Sequence, residues 1–523
     1  MKSLAKTLPF KSKSRRKRTL SCFLTGLVAT SGLLTQSFFS PPAHAQLREY
    51  CRLNAQAITE KENLRQAWVK GEEGAEEKYK NIVRKHGDLL NLCRSRNWPR
   101  AQGIWLRLHP CDARSGVLEQ TLDRIVNLGY NEVYVETFGN SQVLLPAADN
   151  PTSWISMLRT PGDENRDLLA EAIEKGRKRG LKVNAWMFSM NFGYAYGQRP
   201  QARNTLAFNG KGETSLASGS AHTEAFVDPY NRQAQQEYSK LVREVAERKP
   251  DEIMFDYIRY PRGTGTASVA SNVKDLWIYG RASREALLQR SFNNRGKFLI
   301  EKYVSRGSLT AQDFQEMVRL YPNEGPPLWQ GRTPTPQEQR QLERESENTA
   351  ETTKLVNSIY NGALRNKIQQ ELWTLSVAHA AQGVINFISL AARITESQGI
   401  PAGAVFFPYG NRGVGQQGFD SRLQPWDQFP ETIRLHPMSY AVCNKADCIV
   451  DQVNWVLNGA KNRTNKVMPV LAGVWGAPHT GRPPLEVQMA ALRQETPQIN
   501  AVSHFAFSWQ EPQYTVARKR CQI

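Results

Sequence analysis

Apolar residues recur along this chain with two periods, and the places where one gives way to the other divide it into elements. Leu47–Arg96 has helical spacing rich in Glu, Lys, Ala and Leu, interrupted near its middle by Gly71 and Gly74. That pattern predicts a helical hairpin. From Gly103 onward, short apolar runs alternate with amphipathic stretches. Strands are predicted at Gly103–His109, Asn131–Glu136, Leu181–Ser189 and Ile253–Asp256. Four more are predicted at Ala404–Phe407, Ile433–His436 with Pro437-Met438, Lys466–Leu471 and Val502–Phe507. The intervening helices are predicted at Val117–Leu128 (closed by Gly129), Asp167–Arg179, Asp228-Pro229 to about Arg248, and roughly Leu375–Glu396.

Eight strands separated by helices favour a closed (β/α)8 TIM barrel over an open doubly wound sheet. The alternation is interrupted by an insertion from Gly263 to about Leu372, with a proline-rich break at Pro322–Pro336 and a charged run at Gln337–Asn348. The expected organisation is therefore a leader at 1–45, the hairpin at 46–100 and the barrel with its insertion at 101–523. No Gly-x-Gly-x-x-Gly joins a strand to a helix and no phosphate-binding loop with Lys is present, so no nucleotide cofactor is expected.

Charge changes the picture at the N-terminus. Lys11–Arg18 is basic, Leu20–Leu34 is mostly apolar, and Ala43-His44-Ala45 is a small-x-small site, the pattern of a cleaved export signal. Without that segment the chain has 60 basic against 49 acidic side chains, a formal charge of +11 rather than +19. Such a surface attracts anionic polymers. Neither zinc-finger spacing nor a basic helix supports nucleic acid as the partner. No later segment reads as long and apolar enough to span a bilayer.

Export changes the reading of the cysteines. Six remain after residue 45, an even number that suggests disulfides in an oxidising compartment. Cys51 and Cys93 lie almost equidistant from the hairpin turn and are expected to pair. Cys111 follows strand one and Cys521 follows strand eight, which are neighbours in a closed barrel. Cys443 and Cys448 would pin the loop after strand six. None is spaced as a metal site, and no metal is expected.

The stretch that concentrates chemistry is Asp251–Arg262, Asp-Glu-Ile-Met-Phe-Asp-Tyr-Ile-Arg-Tyr-Pro-Arg. An apolar strand ends in Asp256, followed by Tyr257, Arg259 and Tyr260, and Pro261 stops the ladder. In a parallel barrel that end is the catalytic face. The run Phe-Asp-Tyr-Ile-Arg-Tyr-Pro resembles the signature of the glycosyl-hydrolase-like family-10 domain. Val227-Asp228-Pro229 and His436-Pro437-Met438-Ser439-Tyr440 resemble the same family's pattern. The resemblance implies a TIM-barrel glycosidase acting on polysaccharide, with bacterial cell-wall glycan (peptidoglycan) a plausible substrate for an exported member.

Glycoside hydrolysis generally uses two carboxyl groups. Asp256 is the first candidate. Glu136, ending strand two, is the leading second carboxylate, and Glu511, after strand eight, is the next. Asp228 is expected to cap its helix instead. Strand five ends in Phe-Phe-Pro-Tyr-Gly without an acid, which leaves room for an N-acetyl sugar to supply its own nucleophile. Sugar rings pack on aromatic faces, so Trp186, Trp475 and Trp509 are candidate platforms. Arg259 is expected to hold Asp256 ionised or to grip a substrate carboxylate. Tyr257, Asn191, His436 and Tyr440 complete the expected substrate-binding rim. The competing readings are a glycan-binding barrel that does not hydrolyse and a structural envelope protein held by its basic surface, with the hairpin as docking element.

Overall fold

The computed structural model describes residues 50–522 except 218–223, 337 and 340–348. The leader through Ala45 and most of the charged run 337–348 lie outside the described residues. Eight parallel strands close on themselves: β1 (Ala101–Leu106), β2 (Glu132–Gly139), β3 (Lys182–Phe188), β4 (Ile253–Asp256), β5 (Ala402–Phe406), β6 (Arg434–Ser439), β7 (Val470–Ala472) and β8 (Ala501–Phe505). Each pairs with its neighbours in chain order, and β1 pairs with both β2 and β8, so the sheet has no free edge. The fold is the TIM barrel that the pattern of strands predicts.

The hairpin precedes the barrel. Helices α1 (Ala55–Val69) and α2 (Ala75–Arg96) are joined through Gly71 and Gly74, both at positive φ where a side chain would be strained. Buried Asp123 fastens the hairpin to the barrel. It sits on α3 (Val117–Asn127) and accepts hydrogen bonds from Tyr79 Oη (2.7 Å) and Arg179 Nε (2.9 Å). Hairpin and barrel belong to one compact unit, Ala43–Ile523.

All three expected cysteine pairs are bonded: Cys51–Cys93, Cys111–Cys521 and Cys443–Cys448, with Cα atoms 5.7, 5.4 and 6.6 Å apart. At the seam, Arg518 reinforces the second bridge through two buried hydrogen bonds to the Asp112 carboxylate, at 2.7 and 2.6 Å.

Helix α4 (Leu168–Arg177) follows β2, and α5 (Arg232–Glu247) follows β3. The cap of α5 differs from expectation. Asn231, not Asp228, accepts from the first turn (Ala234 N, 3.0 Å). Asp228 instead accepts from Ser283 N at 2.9 Å, in the first turn of α6 (Arg281–Leu288), and so caps the insertion's first helix from the barrel side.

The insertion continues through α7 (Asn294–Arg306), α8 (Ala311–Leu320) and α9 (Thr349–Ile359). It then merges into α10 (Gly362–Ser397), one unbroken helix that starts 13 residues before the predicted Leu375. Nothing between Gly362 and Leu375 breaks a helix, and Asn361 caps the true start. By length and composition α10 could cross a membrane, which corrects the sequence expectation. Its apolar positions are nonetheless buried, including Leu372, Val384, Phe387 and Ile388. Helices α11 (Asp447–Gly459), α12 (Leu485–Glu495) and α13 (Pro512–Lys519) complete the outer layer.

Candidate active site

Side chains alternate between the two faces of a strand, so every second residue points at the barrel axis. Ring contacts across the barrel identify that set. Trp105 of β1 packs on Tyr134 of β2 (5.0 Å) and Trp186 of β3 (4.9 Å). Phe505 of β8 reaches Trp186 (6.3 Å) and Tyr440 beyond β6 (6.0 Å). One step further toward the strand C-termini come Arg107, Glu136 and Asp256, which form the mouth.

Asp256 ends β4 and is 8% exposed. Tyr257 N–H donates to its Oδ1 at 2.6 Å and Trp186 Nε1–H donates to its Oδ2 at 3.2 Å. Burial pushes its pKa up to about 6, against the pull of the Tyr257 amide, Arg259 and the Trp186 indole, while the charge of Glu136 adds to the rise. Tyr257 has φ +53°, a costly conformation for an aromatic residue.

Glu136 accepts from Arg107 Nε at 2.7 Å. Burial raises its pKa and the Arg107 guanidinium opposes the rise. Gly139 makes room for it, since a Cβ there would lie 3.0 Å from the Glu136 carboxyl carbon. Arg107 also lies over the Trp186 ring at 5.0 Å. Glu136, Arg107, Trp186 and Asp256 thus form one contiguous chain of contacts. Strands β2 and β4 flank β3, so their backbones are separated by about 10 Å.

Beyond Asp256, the Tyr257 ring packs on Phe188 (4.3 Å), and Arg259 lies over both Tyr257 (4.7 Å) and Phe226 (5.3 Å). Glu224 sits beside the Tyr257 hydroxyl and, with burial, raises its pKa. The sequence reading missed Glu224. It lies in a loop with no motif, and only the fold brings it to the mouth. Tyr440 also borders the mouth; burial, with Asp256 nearby, pushes its phenol well above the usual range. Trp509 packs on Phe505 (5.6 Å) and His479 (4.6 Å) at the β8 side.

Four expected site residues lie elsewhere. His436 is fully buried one layer or more below the mouth, its Nε2 3.3 Å from Glu252 Oε1 and its ring against Tyr134. Strand β6 runs through Pro437 to Ser439, so the inward series 436, 438, 440 puts Tyr440 at the top. Asn191 is a loop fastener whose Oδ1 accepts from Gly193 N (3.0 Å) and Ala225 N (3.2 Å). Trp475 packs between Tyr50 (4.9 Å), His504 (5.5 Å) and Arg52 (4.6 Å), under the N-terminal segment. Glu511 pairs with Arg124 of α3 at 3.1 Å. It lines a cavity of about 330 Å³ between the hairpin and the barrel's helical layer.

A serine–histidine pair between α6 of the insertion and α10 is not a nucleophile and its base. Ser283 Oγ lies 3.0 Å from His379 Nε2, but Arg290 Nε donates to Nδ1 at 3.0 Å. Nε2 therefore carries the ring proton. Among the described residues no group of three or more His, Cys, Asp or Glu is placed to hold a metal ion.

Fold and mouth together define a glycoside-hydrolase-like TIM barrel. Residues 102–287, from β1 through α6, match the family described as glycosyl hydrolase-like 10, and the motif ending β4 lies within that match. No curated protein matches the sequence. Among solved structures, the chain resembles the PgaB (BpsB) glycoside hydrolase domain from Bordetella bronchiseptica, at 11% identity and TM-score 0.42, covering 80% of this chain and 98% of that one. It also resembles the β-amylase catalytic domain from Paenibacillus polymyxa, at 11% identity and TM-score 0.44, covering 78% and 92%. A third is the β-galactosidase from the psychrophilic Marinomonas ef1, at 13% identity and TM-score 0.45, covering 78% of this chain and 54% of that one. At these values no residue-level correspondence follows.

Proposed function

We propose that this protein is an exported glycoside hydrolase that cleaves a cell-wall or extracellular polysaccharide, with peptidoglycan glycan the leading substrate. The observation that carries the reading is Asp256, a nearly buried carboxyl group at the C-terminal end of a barrel strand. Neutral N–H donors hold both its oxygens, and its pKa is raised to about 6. A carboxyl group whose burial raises its pKa that far is protonated at mildly acidic pH, and from that form it delivers a proton to a leaving glycosidic oxygen. Glu136, joined to the same tryptophan through Arg107, is the second carboxylate of the pair that glycoside hydrolysis uses. Trp186, Tyr257, Arg259, Tyr440 and Trp509 shape the cleft around the sugar.

The leader at 1–45, the even cysteine count and the three disulfides support export, since such bonds persist in oxidising compartments.

One feature favours a second reading. Glu136 is tied to Arg107, which weakens it as a free base or nucleophile and suits a barrel that binds glycan without cutting it. Release of reducing ends from purified peptidoglycan separates the two. Hydrolysis predicts release by the wild type and none by Asp256→Asn. Binding without release by either protein supports the non-hydrolytic barrel.

A further inference from the structure

The other side of the mouth carries an arrangement that neutral sugars do not require. Phe407 follows β5 directly, and three guanidinium groups lie around its ring. Arg422 is at 4.2 Å, Arg259 at 5.8 Å and Arg262 at 6.0 Å from the ring centroid. Arg422 is neutralised by Asp420, to which it donates at 2.6 and 2.5 Å. Among the described residues, neither Arg259 nor Arg262 forms an ion pair with a carboxylate.

Arg259 is 7% exposed and donates one N–H to the Tyr260 carbonyl (2.9 Å). The rings of Phe226, Tyr257 and Phe407 fix its plane. Arg262 is exposed, three residues further along the same loop. Clustered guanidinium groups repel one another. Aromatic faces and the nearby Glu224 and Asp256 charges offset part of that cost at Arg259, and a bound anion offsets more, chiefly at Arg262. A buried, ring-packed fork beside an exposed one matches a carboxylate, which accepts two parallel hydrogen bonds.

We propose that Phe407, Arg259 and Arg262 form a subsite for a sugar that bears a carboxylate, next to the sugar whose bond lies at Asp256. This rests on the glycosidase reading and adds a charge requirement to it. Either a uronic acid or an ether-linked carboxylate on an N-acetylated sugar supplies the required group.

The test uses the full chain carrying Asp256→Asn, so that bound glycan is not cut. Isothermal titration compares oligosaccharides of each acidic kind with the same oligosaccharides after their carboxyl groups are reduced to alcohols. At least one acidic form is expected to bind about tenfold or more tightly than its reduced partner, and added NaCl should erode that preference. Arg262→Gln, on an exposed side chain that makes no hydrogen bond or ion pair among the described residues and touches only the Phe407 ring, should remove most of the preference and leave binding of the reduced form unchanged. The acid source that shows the preference identifies the sugar. Equal binding of acidic and reduced forms, or an equal loss of both in Arg262→Gln, overturns the subsite and leaves the glycosidase reading standing. No binding of any form overturns both.

Discussion

The barrel has carboxylates at both ends of its interior, and the same strands supply them. At the floor, Glu132 of β2 accepts from Tyr134 Oη at 3.0 Å and lies 3.4 Å from Lys182 Nζ. Glu252, which precedes β4, pairs with Arg434 and contacts His436, both at 3.3 Å. At the mouth, Glu136 also has an arginine in direct contact, but Asp256 hydrogen-bonds only the Trp186 indole and its own following amide, with Arg259 acting on it through space. Three of these four acids thus form a direct ion pair and Asp256, among the described residues, does not. A buried acid without an ion pair costs stability, and proteins retain such groups mainly where the proton has a use. The floor acids hold the barrel shut, and on the proposed glycosidase reading the unpaired acid at the mouth is the one that supplies a proton.

Four substitutions bear on that contrast. The largest effect is expected at the mouth. Glu136→Gln should lower kcat for glycan cleavage by about 100-fold or more while the melting temperature stays close to that of the wild type. An unchanged kcat would remove Glu136 from the pair. Next comes the pH dependence of stability. The folded pKa of Asp256, about 6, lies above the ordinary 3.8, so the folded state favours its protonated form. That contribution is complete below about pH 4 and is lost as pH rises through 6. Asp256→Asn should therefore be more stable than the wild type at pH 8 by about 2–3 kcal/mol, and equal to it at pH 3, by urea denaturation.

At the floor, Glu252→Gln should cost about 2 kcal/mol of stability, because the Arg434 and His436 contacts lose their acceptor charge, with kcat retained. A loss of activity without a loss of stability there would erase the distinction between the two ends. The smallest effect is that of Trp186→Phe. Removing one neutral donor from Asp256 should move the alkaline limb of the rate profile up by about half to one pH unit.

Much of this was legible in the sequence, and the misses share a cause. Ile253–Asp256 is a strand with the predicted bounds because Pro261 and the apolar run define it locally. Cys111–Cys521 followed from the neighbouring of strands one and eight in a closed barrel, Cys51–Cys93 from symmetry about the hairpin turn, and Cys443–Cys448 from their closeness in the strand-six loop. The height of a side chain within the barrel did not follow. A strand's apolar run gives its period but not its stagger against neighbours, so His436 was placed at the rim although two further inward positions lie above it. The destination of a residue past a strand end was equally hidden. Trp475 and Glu511 leave their strands and turn outward to meet Tyr50 and Arg124, partners hundreds of residues away in sequence. Glu224 was missed for the converse reason, since its loop folds inward onto Tyr257 without a local signal.

The most direct test of the central claim is a crystal structure of the Asp256→Asn chain soaked with an N-acetylated cell-wall oligosaccharide. The account predicts sugar density over the mouth, with a glycosidic oxygen within hydrogen-bond reach of residue 256 and rings against Tyr440 and Trp509. Density confined to the cavity beside Glu511, with the mouth closed to sugar, would contradict it.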